Sequence, residues 1–521
     1  MSQATESVFV GDDTTGFERV AAGVVGVGIV TFLLAAAGLL QFVALGQSVL
    51  GTPVYDLFGY GLVAMGVATA GLGIGTRAGV LSADPDDAAG ILPGTIFGAI
   101  GFATGGLVAS QTFGLGTPVW IAAALSLGGA VFALTVFPRE DVGSTIPAAS
   151  FLVFLGGVVL GDVIAVGWAW TTPALTGTFT AEVVLPLLTV MGSLIGVWSA
   201  AKAYGGFGPS GRQAGAFLLI GLSVFGILSV LVILVVFVFI KGLPTVLTGA
   251  DLAQLEIPFI MNVSAGLYVT VPGVLPAILG TIWLVVGTVV IAVPIGVGAA
   301  VFLTEYAEQG RFTQVVELAT NGLWSTPSVV FGLFGLAFLV PRLGNAPSLL
   351  AGQIVLSFML LPLVIITSRE SIKSVPDEYR DASAALGVSR WETIKSVVLP
   401  AAMPGIITGV ILGVGRIAGE TAPILLVMTR SVFPFGTPNV LSGFRFTTSP
   451  PFIANDALLQ SASALPYQLY ATITAGQSPR PELFTAREFG WGTAMILLVV
   501  VLGLYAIGVL SRIYFRRKLN A

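Results

Sequence analysis

Arg416 and Glu420 are the residues whose types and spacing most plainly suggest chemistry. They stand four positions apart in the apolar stretch GVGRIAGETAPILLV, residues 413–427, and on a helix that spacing places both side chains on one face. A charge near mid-membrane costs roughly 2.5 to 3.5 kcal/mol on insertion scales, so the pair indicates either a structural salt bridge or an anion site. The guanidinium suits phosphate or carboxylate oxygens, and Glu420 would hold Arg416 or accept from a protonated oxyanion. Gly419 is expected to allow a close helix approach.

A second feature is an island of charge in apolar sequence. Between Arg369 and Lys395 lie 10 of the 48 charged residues within 27 positions. On composition alone a solvated loop with amphipathic helices would explain the island. The order of residues within the island is a more specific indicator of structure than its composition.

The island carries signals for two short helices. Pro376 suits the first turn of one helix, and Gly387 suits a left-handed residue just after its end. Ser389 with Glu392 fits the S-x-x-E capping box of a second helix, whose continuation Pro400 should limit. We therefore predict a helix, a glycine turn and a helix at the inner membrane surface.

The composition of the chain predicts the kind of structure in which these residues lie. The 521 residues are 55% apolar and 9% charged, with a mean hydropathy of +0.97, which predicts a polytopic membrane protein. Apolar runs long enough to cross roughly 30 Å of hydrocarbon recur about twelve times. The predicted fold is an all-α membrane helical bundle of about twelve transmembrane helices, in which 318–340 and 402–429 each form one span.

Several function classes are excluded by residues that the sequence lacks. It has no Cys and no His, which excludes disulfides, thiol nucleophiles, imidazole bases and the usual zinc ligands. The net charge of -4 is small and scattered, so no nucleic-acid partner is expected. We predict no catalytic residue, no metal site and no cofactor.

Basic residues indicate the orientation. An even number of spans puts both termini on one side. With the termini cytoplasmic, 14 of the 22 basic residues lie inside and 6 outside, as the positive-inside rule requires. The charged island then faces the cytoplasm, and the first apolar span, which follows a polar start, is interpreted as a retained anchor in the cell membrane.

A Gly- and Pro-containing stretch divides the chain. AKAYGGFGPSGRQAG, residues 201–215, interrupts the hydropathy. We predict an accessory membrane domain of about six helices over 1–210, whose function is not readable, and a second domain over 211–521. The outside segments 242–275 and 430–489 are long and Pro-rich, and we expect them to carry structure of their own.

The charged island resembles the EAA loop of ABC importer permeases. The family pattern is EAA, three residues, G, nine residues, I-x-LP, and the matching positions are Asp381, Ala382, Ser383, Gly387, Val397, Leu399 and Pro400. Asp381 stands for Glu, Ser383 for Ala and Val397 for Ile. The resemblance implies that the loop, residues 371–400, docks an ATPase through Asp381, Ala382, Ser383, Gly387, Leu399 and Pro400. No lysine follows a glycine, so the GK of a P-loop is absent and a separate subunit would bind ATP.

RIAGETAP, residues 416–423, together with this loop resembles the phosphate-specific ABC permease subunit of the PstA type. Further segments agree, namely VIAVPIGVGAAVFLTEY, STPSVVFGLFG, LPLVIITSRESIKSVP and ALPYQLYATITAG. The resemblance covers about residues 214–521 and implies a type I ABC importer permease core of six helices with a MetI-like fold. An arginine common in that family is replaced here by Ile366; Arg369, almost one turn later, either substitutes for it in the substrate path or snorkels to the interface.

The resemblance implies a function and partners. The chain would be the permease subunit of an ATP-driven phosphate importer, not itself an enzyme, with Arg416 and Glu420 along the path. Its partners would be a PstC-type permease, two copies of a PstB-type ATPase, an extracytoplasmic phosphate-binding protein and the lipid membrane. The alternatives are an ABC permease for another oxyanion, such as molybdate or sulfate, and an ion-coupled carrier or membrane enzyme.

Overall fold

The computed structural model is mostly helical. It describes residues 16–49, 51–81, 83–171, 177–266, 268–308, 310–449 and 452–520. Within these ranges 11 helices are long and apolar enough to cross a membrane, or up to 12 if a bent pair forms one span. This confirms the predicted all-α membrane bundle. The polar start before residue 16 lies outside the described residues.

The chain divides into two compact units after Val230, inside a helix and some twenty residues beyond the boundary expected at 210. The helices of the first unit are α1 (Gly16–Leu39), α2 (Val54–Arg77), α3 (Ile91–Leu107), α4 (Thr117–Val136), α5 (Glu140–Leu160) and α6 (Ala181–Tyr204). Its antiparallel hairpins are β1 (Ser48–Val49) with β2 (Thr52–Pro53), and β3 (Ala169–Thr171) with β4 (Thr178–Thr180). α2 packs on α5, α3 on α4 and α1 on α6.

A buried ion pair lies in the first unit. Lys202 on α6 and Glu140 at the start of α5 are 1% and 0% exposed, and their Nζ and Oε1 atoms are 2.7 Å apart. Lys202 also donates to Ser144 Oγ at 2.8 Å, and Glu140 accepts from the backbone N–H of Gly208 at 2.7 Å and of Asp86 at 3.2 Å. The pair therefore joins α5 and α6 to the loop at Asp86 and to the backbone at Gly208, and each buried charge has a partner.

Helix α7 (Gly208–Val246) contains the division between the units. The second unit continues with α8 (Pro258–Met261), α9 (Leu275–Val301), α10 (Arg311–Ser325), α11 (Ser328–Phe334), α12 (Leu349–Lys373), α13 (Asp377–Ala385), α14 (Arg390–Thr393), α15 (Leu399–Ala418), α16 (Ala422–Val427), β5 (Phe444–Phe446), β6 (Ile453–Asn455), α17 (Leu465–Thr474) and α18 (Ala486–Asn520). β5 and β6 pair in antiparallel register, Phe446 opposite Ile453. With α8 and α17 they give both outside segments structure, as expected.

Glycines let α15 lie directly against α12. A Cβ at Gly409 would lie 2.5 Å from Thr367 Cβ, and one at Gly413 would lie 2.1 Å from Leu360 Cδ1. These glycines are four positions apart, so they share one face of α15. Gly419 was expected to serve this purpose, but a Cβ there would meet nothing closer than 3.9 Å.

The span predicted over 318–340 is not one straight helix. α10 and the helical segment 328–342 make an angle of 101° across a short break. The break contains Thr326 and Pro327, and a residue before proline is disfavoured in the helical conformation. The sequence therefore held a signal for this bend.

Candidate functional site

Arg416 and Glu420 lie at the end of α15 and not within one continuous helix. α15 ends at Ala418 and α16 begins at Ala422, so the single helix predicted over 402–429 was wrong. The reason is Pro423, whose ring would clash with the carbonyl of residue 419 if the helix continued. Arg416 Nε and Glu420 Oε1 are 4.0 Å apart, and their side chains are 39% and 16% exposed. The arginine is thus loosely held and accessible.

The bend between α10 and α11 supplies two more side chains to this pair. The Arg416 guanidinium carbon lies 4.4 Å from the centre of the Trp324 ring, at the end of α10. Ser328, the first residue of α11, lies near the Glu420 carboxylate. Two interrupted helices therefore meet at the pair, and in transporters such interruptions commonly form the substrate site. We call Trp324, Ser328, Arg416 and Glu420 the anion pair site.

Close packing fixes the two interruptions relative to each other. A Cβ at Gly332 of α11 would lie 2.8 Å from Pro423 Cα, and one at Gly335 would lie 2.8 Å from Val427 Cγ1 of α16. Only glycine permits this approach. The packing brings the STPSVVFGLFG and GETAP stretches, about 90 residues apart in the sequence, into contact.

Arg369 is not part of the anion pair site. Its Nη2 donates to Glu317 Oε1 on α10 at 2.6 Å, and the pair is partly exposed. Since Thr367 faces Gly409 in the α12–α15 packing, Arg369 lies on the order of 15 Å from Arg416 along the helix axes, at 1.5 Å per residue. Arg369 thus holds α10 against α12, one turn after Ile366.

The charged island folds as predicted up to its second helix. α13 begins directly after Pro376, Gly387 adopts a left-handed φ of 73°, and Ser389 Oγ accepts from the Glu392 N–H at 3.4 Å. These observations confirm the first helix, the glycine turn and the cap. We call residues 374–393 the hairpin.

The second helix does not end near Pro400, as the sequence suggested. α14 continues through a π-helical turn at Ile394–Val398 directly into α15. Pro400 follows directly on this π-helical turn, where the regular i→i−4 hydrogen-bond ladder is already interrupted. Residues 390–418 therefore form one continuous helical span.

The residues expected to dock an ATPase divide into two groups. Those exposed are Asp381, Ala382 and Gly387. Ser383 is 8% exposed, and Leu399 and Pro400 are half-buried. Leu399 packs against the core formed around Ala300 and Ile372. The second group thus supports the hairpin from inside the unit.

Large apolar side chains on the hairpin were missed by the sequence reasoning. They are Tyr379, Leu386, Val388 and Trp391, of which Leu386 is 83% exposed. We call these four residues the hairpin apolar surface. Their exposure in so short a segment is a signal for a protein interface.

Arg380 attaches the hairpin to α9. Its Nη2 donates to Glu305 Oε1 at 2.8 Å, and its Nη1 donates to the carbonyl of Val375 at 2.9 Å. Glu305 is buried in a π-helical turn that extends α9. The hydrogen bond to Glu305 raises the pKa of Arg380 further above its ordinary value, so the guanidinium stays charged. Because 75 residues separate the partners, spacing gave no sign of this contact.

The comparison with known protein families matches the second unit. Residues 292–519 match the family model described as "Binding-protein-dependent transport system inner membrane component". The chain is 32% identical over 271 residues to the "Probable ABC transporter permease protein YqgI" of Bacillus subtilis (strain 168), covering 52% of this chain and 87% of that protein. This chain belongs to the ABC transporter permease family.

Other relatives of the permease carry more specific names. It is 35% identical over 229 residues to the "Phosphate transport system permease protein PstA 1" of Mycobacterium tuberculosis (strain CDC 1551 / Oshkosh), covering 44% of this chain and 67% of that one. A chain in a solved structure of the MetNI methionine ABC transporter has 16% identity and a TM-score of 0.35, covering 47% of the permease and 94% of that chain.

Proposed function

We propose that this permease is a membrane subunit of an ATP-driven phosphate importer. Relatives at 33% to 35% identity are phosphate transport permeases, and the second unit presents an accessible arginine between two interrupted helices. The observation that carries the proposal is the position of Arg416, stacked on Trp324 and only loosely paired with Glu420.

The anion pair site suits a partly protonated oxyanion. Arg416 would donate N–H groups to phosphate oxygens in the fork geometry that guanidinium offers. Glu420 would accept from a P–OH group, which a fully ionised sulfate lacks. Trp324 limits the rotamers of Arg416, so less side-chain freedom is lost when the anion binds.

The hairpin would dock a separate ATPase from the cytoplasm. The hairpin apolar surface is accessible, and Asp381 adds an exposed charge that would orient a partner. The ATPase binds ATP, so this chain needs no cofactor and catalyses no reaction. The other proposed partners are a PstC-type permease, a second copy of the PstB-type ATPase and an extracytoplasmic phosphate-binding protein.

The accessory region and the orientation complete the proposal. Residues 1–210 would form an accessory membrane domain of about six helices, residues 211–521 would form the permease core, and both termini would face the cytoplasm. Closure of the ATPase would move the hairpin and switch the core between inward- and outward-facing forms.

Phosphate uptake tests this function. Cells without other phosphate importers would carry the wild-type system, Arg416→Ala, Arg416→Lys, or Arg445→Ala as a control from an exposed ion pair far along the chain. We expect wild-type and Arg445→Ala uptake to be equal, Arg416→Lys to be reduced, and Arg416→Ala to be lost. Full uptake by Arg416→Ala would refute the assigned path.

Two further arms separate the alternatives. Uptake of labelled phosphate should resist excess sulfate or molybdate, whereas strong competition would indicate a permease for another oxyanion. Uptake should stop with vanadate, whereas vanadate resistance combined with sensitivity to an ionophore would indicate an ion-coupled carrier.

A further inference from the structure

An apolar groove lies between the end of α9 and the π-helical turn that follows the hairpin. It encloses about 310 Å³. One wall is formed by Val301 and Phe302, and the other by Ile394 and Leu399. At Gly298, which also lines the groove, an added Cβ would meet no atom within 4 Å. The groove therefore has room for a hydrocarbon chain along two membrane-spanning segments.

Basic and aromatic residues surround one end of this groove. Lys395 and Trp391 line it together with Tyr306, and the Arg390 guanidinium lies 5.0 Å from the centre of the Tyr306 ring. Trp and Tyr concentrate where a membrane meets water, because their rings are apolar and their edges are polar. This end is thus suited to the headgroup level.

Within the described part of the chain, these two cations lack carboxylate partners. Among the described residues, neither Lys395 nor Arg390 forms an ion pair within 4 Å. Glu392, which lies between them, instead accepts from the Ser396 hydroxyl at 2.9 Å, and Glu305 is occupied by Arg380. Positive charge beside an apolar groove favours a ligand that is both anionic and apolar.

We propose that this groove binds an anionic phospholipid of the adjoining leaflet. One acyl chain lies between α9 and α15, and the phosphate lies near Lys395 and Arg390. Basic residues at the membrane surface attract anionic lipids, and a free phosphate ion would leave the apolar walls exposed. The site lies at the foot of the hairpin, so a bound lipid would stabilise the hairpin's attachment to α9. The groove is separate from the anion pair site and shares only Trp391 with the hairpin apolar surface, so the proposal does not depend on the transported substrate.

Native mass spectrometry of the detergent-solubilised full chain tests it. The probes are phosphatidylglycerol, which is anionic, and phosphatidylcholine, which is neutral, titrated separately. Arg390→Gln with Lys395→Gln removes the charges, and Gly298→Leu fills the groove. Gly298→Leu should fold, because the site is open and leucine favours helix more than glycine does. The controls are Gly503→Leu, another helical glycine with open space, and Arg430→Gln with Arg445→Gln, which removes the same charge elsewhere.

The expected result is preferential binding of phosphatidylglycerol to the wild type and to both controls. The charge variant should bind it roughly tenfold to thirtyfold more weakly, since each basic residue near anionic lipid contributes about 1 kcal/mol. Gly298→Leu should lose one bound lipid. Unchanged phosphatidylglycerol binding in these two variants would overturn the proposal. The proposal would also be overturned if lipid binding were lost in every preparation that retains the ATPase, because the groove would then be part of a protein interface.

Discussion

Arg380 and Glu305 connect the hairpin to α9 through a hydrogen bond of 2.8 Å. Glu305 is 7% exposed, so a neutral replacement leaves the partly buried guanidinium of Arg380 with only the exposed carboxylate of Asp377, at 3.2 Å, as an anionic partner. We expect Glu305→Gln to lower the stability of the hairpin's attachment by roughly 1.5 to 3 kcal/mol and to reduce co-purification of the ATPase. Asp456→Asn is the control, because its pair with Arg445 is exposed. Equal recovery of the ATPase from both variants would contradict this expectation.

The contact of Trp324 with Arg416 should affect substrate affinity more than protein stability. Trp324→Leu removes the ring 4.4 Å from the guanidinium, and a cation–π contact at a partly exposed site contributes about 0.5 to 1 kcal/mol. We expect phosphate uptake to need about two to five times more substrate for half-maximal rate. Trp324→Phe should be intermediate. Phe338→Leu removes a similar ring beneath Arg342 and should leave uptake kinetics unchanged; an equal effect there would argue against a specific role for Trp324.

The face of α15 that contacts α12 should not tolerate added volume. In Gly409→Ala the new Cβ would meet Thr367, whose hydroxyl is already bound to the carbonyl of Leu363 at 2.8 Å. Thr367 cannot turn away without losing that bond. We expect a loss of roughly 1 to 3 kcal/mol from overpacking, measured by thermal unfolding in detergent. Gly419→Ala has open space and should unfold like the wild type.

The hairpin apolar surface should matter for assembly and not for folding. Leu386 is 83% exposed, so Leu386→Glu removes little packing inside the chain. We expect unchanged thermal unfolding but much less ATPase co-purified with the permease. Leu441→Glu alters a leucine that is 76% exposed in the outside segment, and this variant should retain the ATPase. Retention by Leu386→Glu would exclude this surface as the docking site.

The ion pair of Lys202 and Glu140 should be important for stability of the first unit. Lys202→Met removes the nearer of the two cations beside the Glu140 carboxylate, which is 0% exposed, and leaves only the half-exposed Arg212 at 3.5 Å. Removing one partner of a buried pair typically costs about 3 to 5 kcal/mol. The double variant Lys202→Met with Glu140→Gln should recover part of this loss. Thermal unfolding measures both, and a single variant as stable as the wild type would show that the pair is dispensable.

Much of the fold follows from local sequence rules. Long apolar runs predict the helices, and Pro376 and Gly387 predict where the first hairpin helix begins and ends, because both act through backbone geometry at their own positions. The breaks before Ser328 and Ala422 were missed, although Pro327 and Pro423 signal them. A hydropathy profile does not detect these breaks, because the chain remains apolar on both sides.

The candidate site was only partly predictable. Arg416 and Glu420 are conspicuous because charges are rare in apolar runs. Their neighbour Trp324 comes from a helix 92 positions away, and the partner of Arg369 comes from 52 positions away. Such pairings depend on how helices pack, and no periodicity or spacing within one segment encodes them. For the same reason the pairing of Arg369 with Glu317 on α10 was not predictable, and the assignment of Arg369 to the substrate path stays a prediction.

The π-helical turn at Ile394–Val398 has a mechanical consequence. It joins the second helix of the hairpin to α15 in one continuous helical span. The resulting rod of 29 residues is about 40 Å long, with Trp391 near one tip and Arg416 near the other. A tilt imposed at Trp391 would be carried along this helix to Arg416. The proposed ATPase, acting at one end of the helix, would therefore change the position of the arginine at the other end.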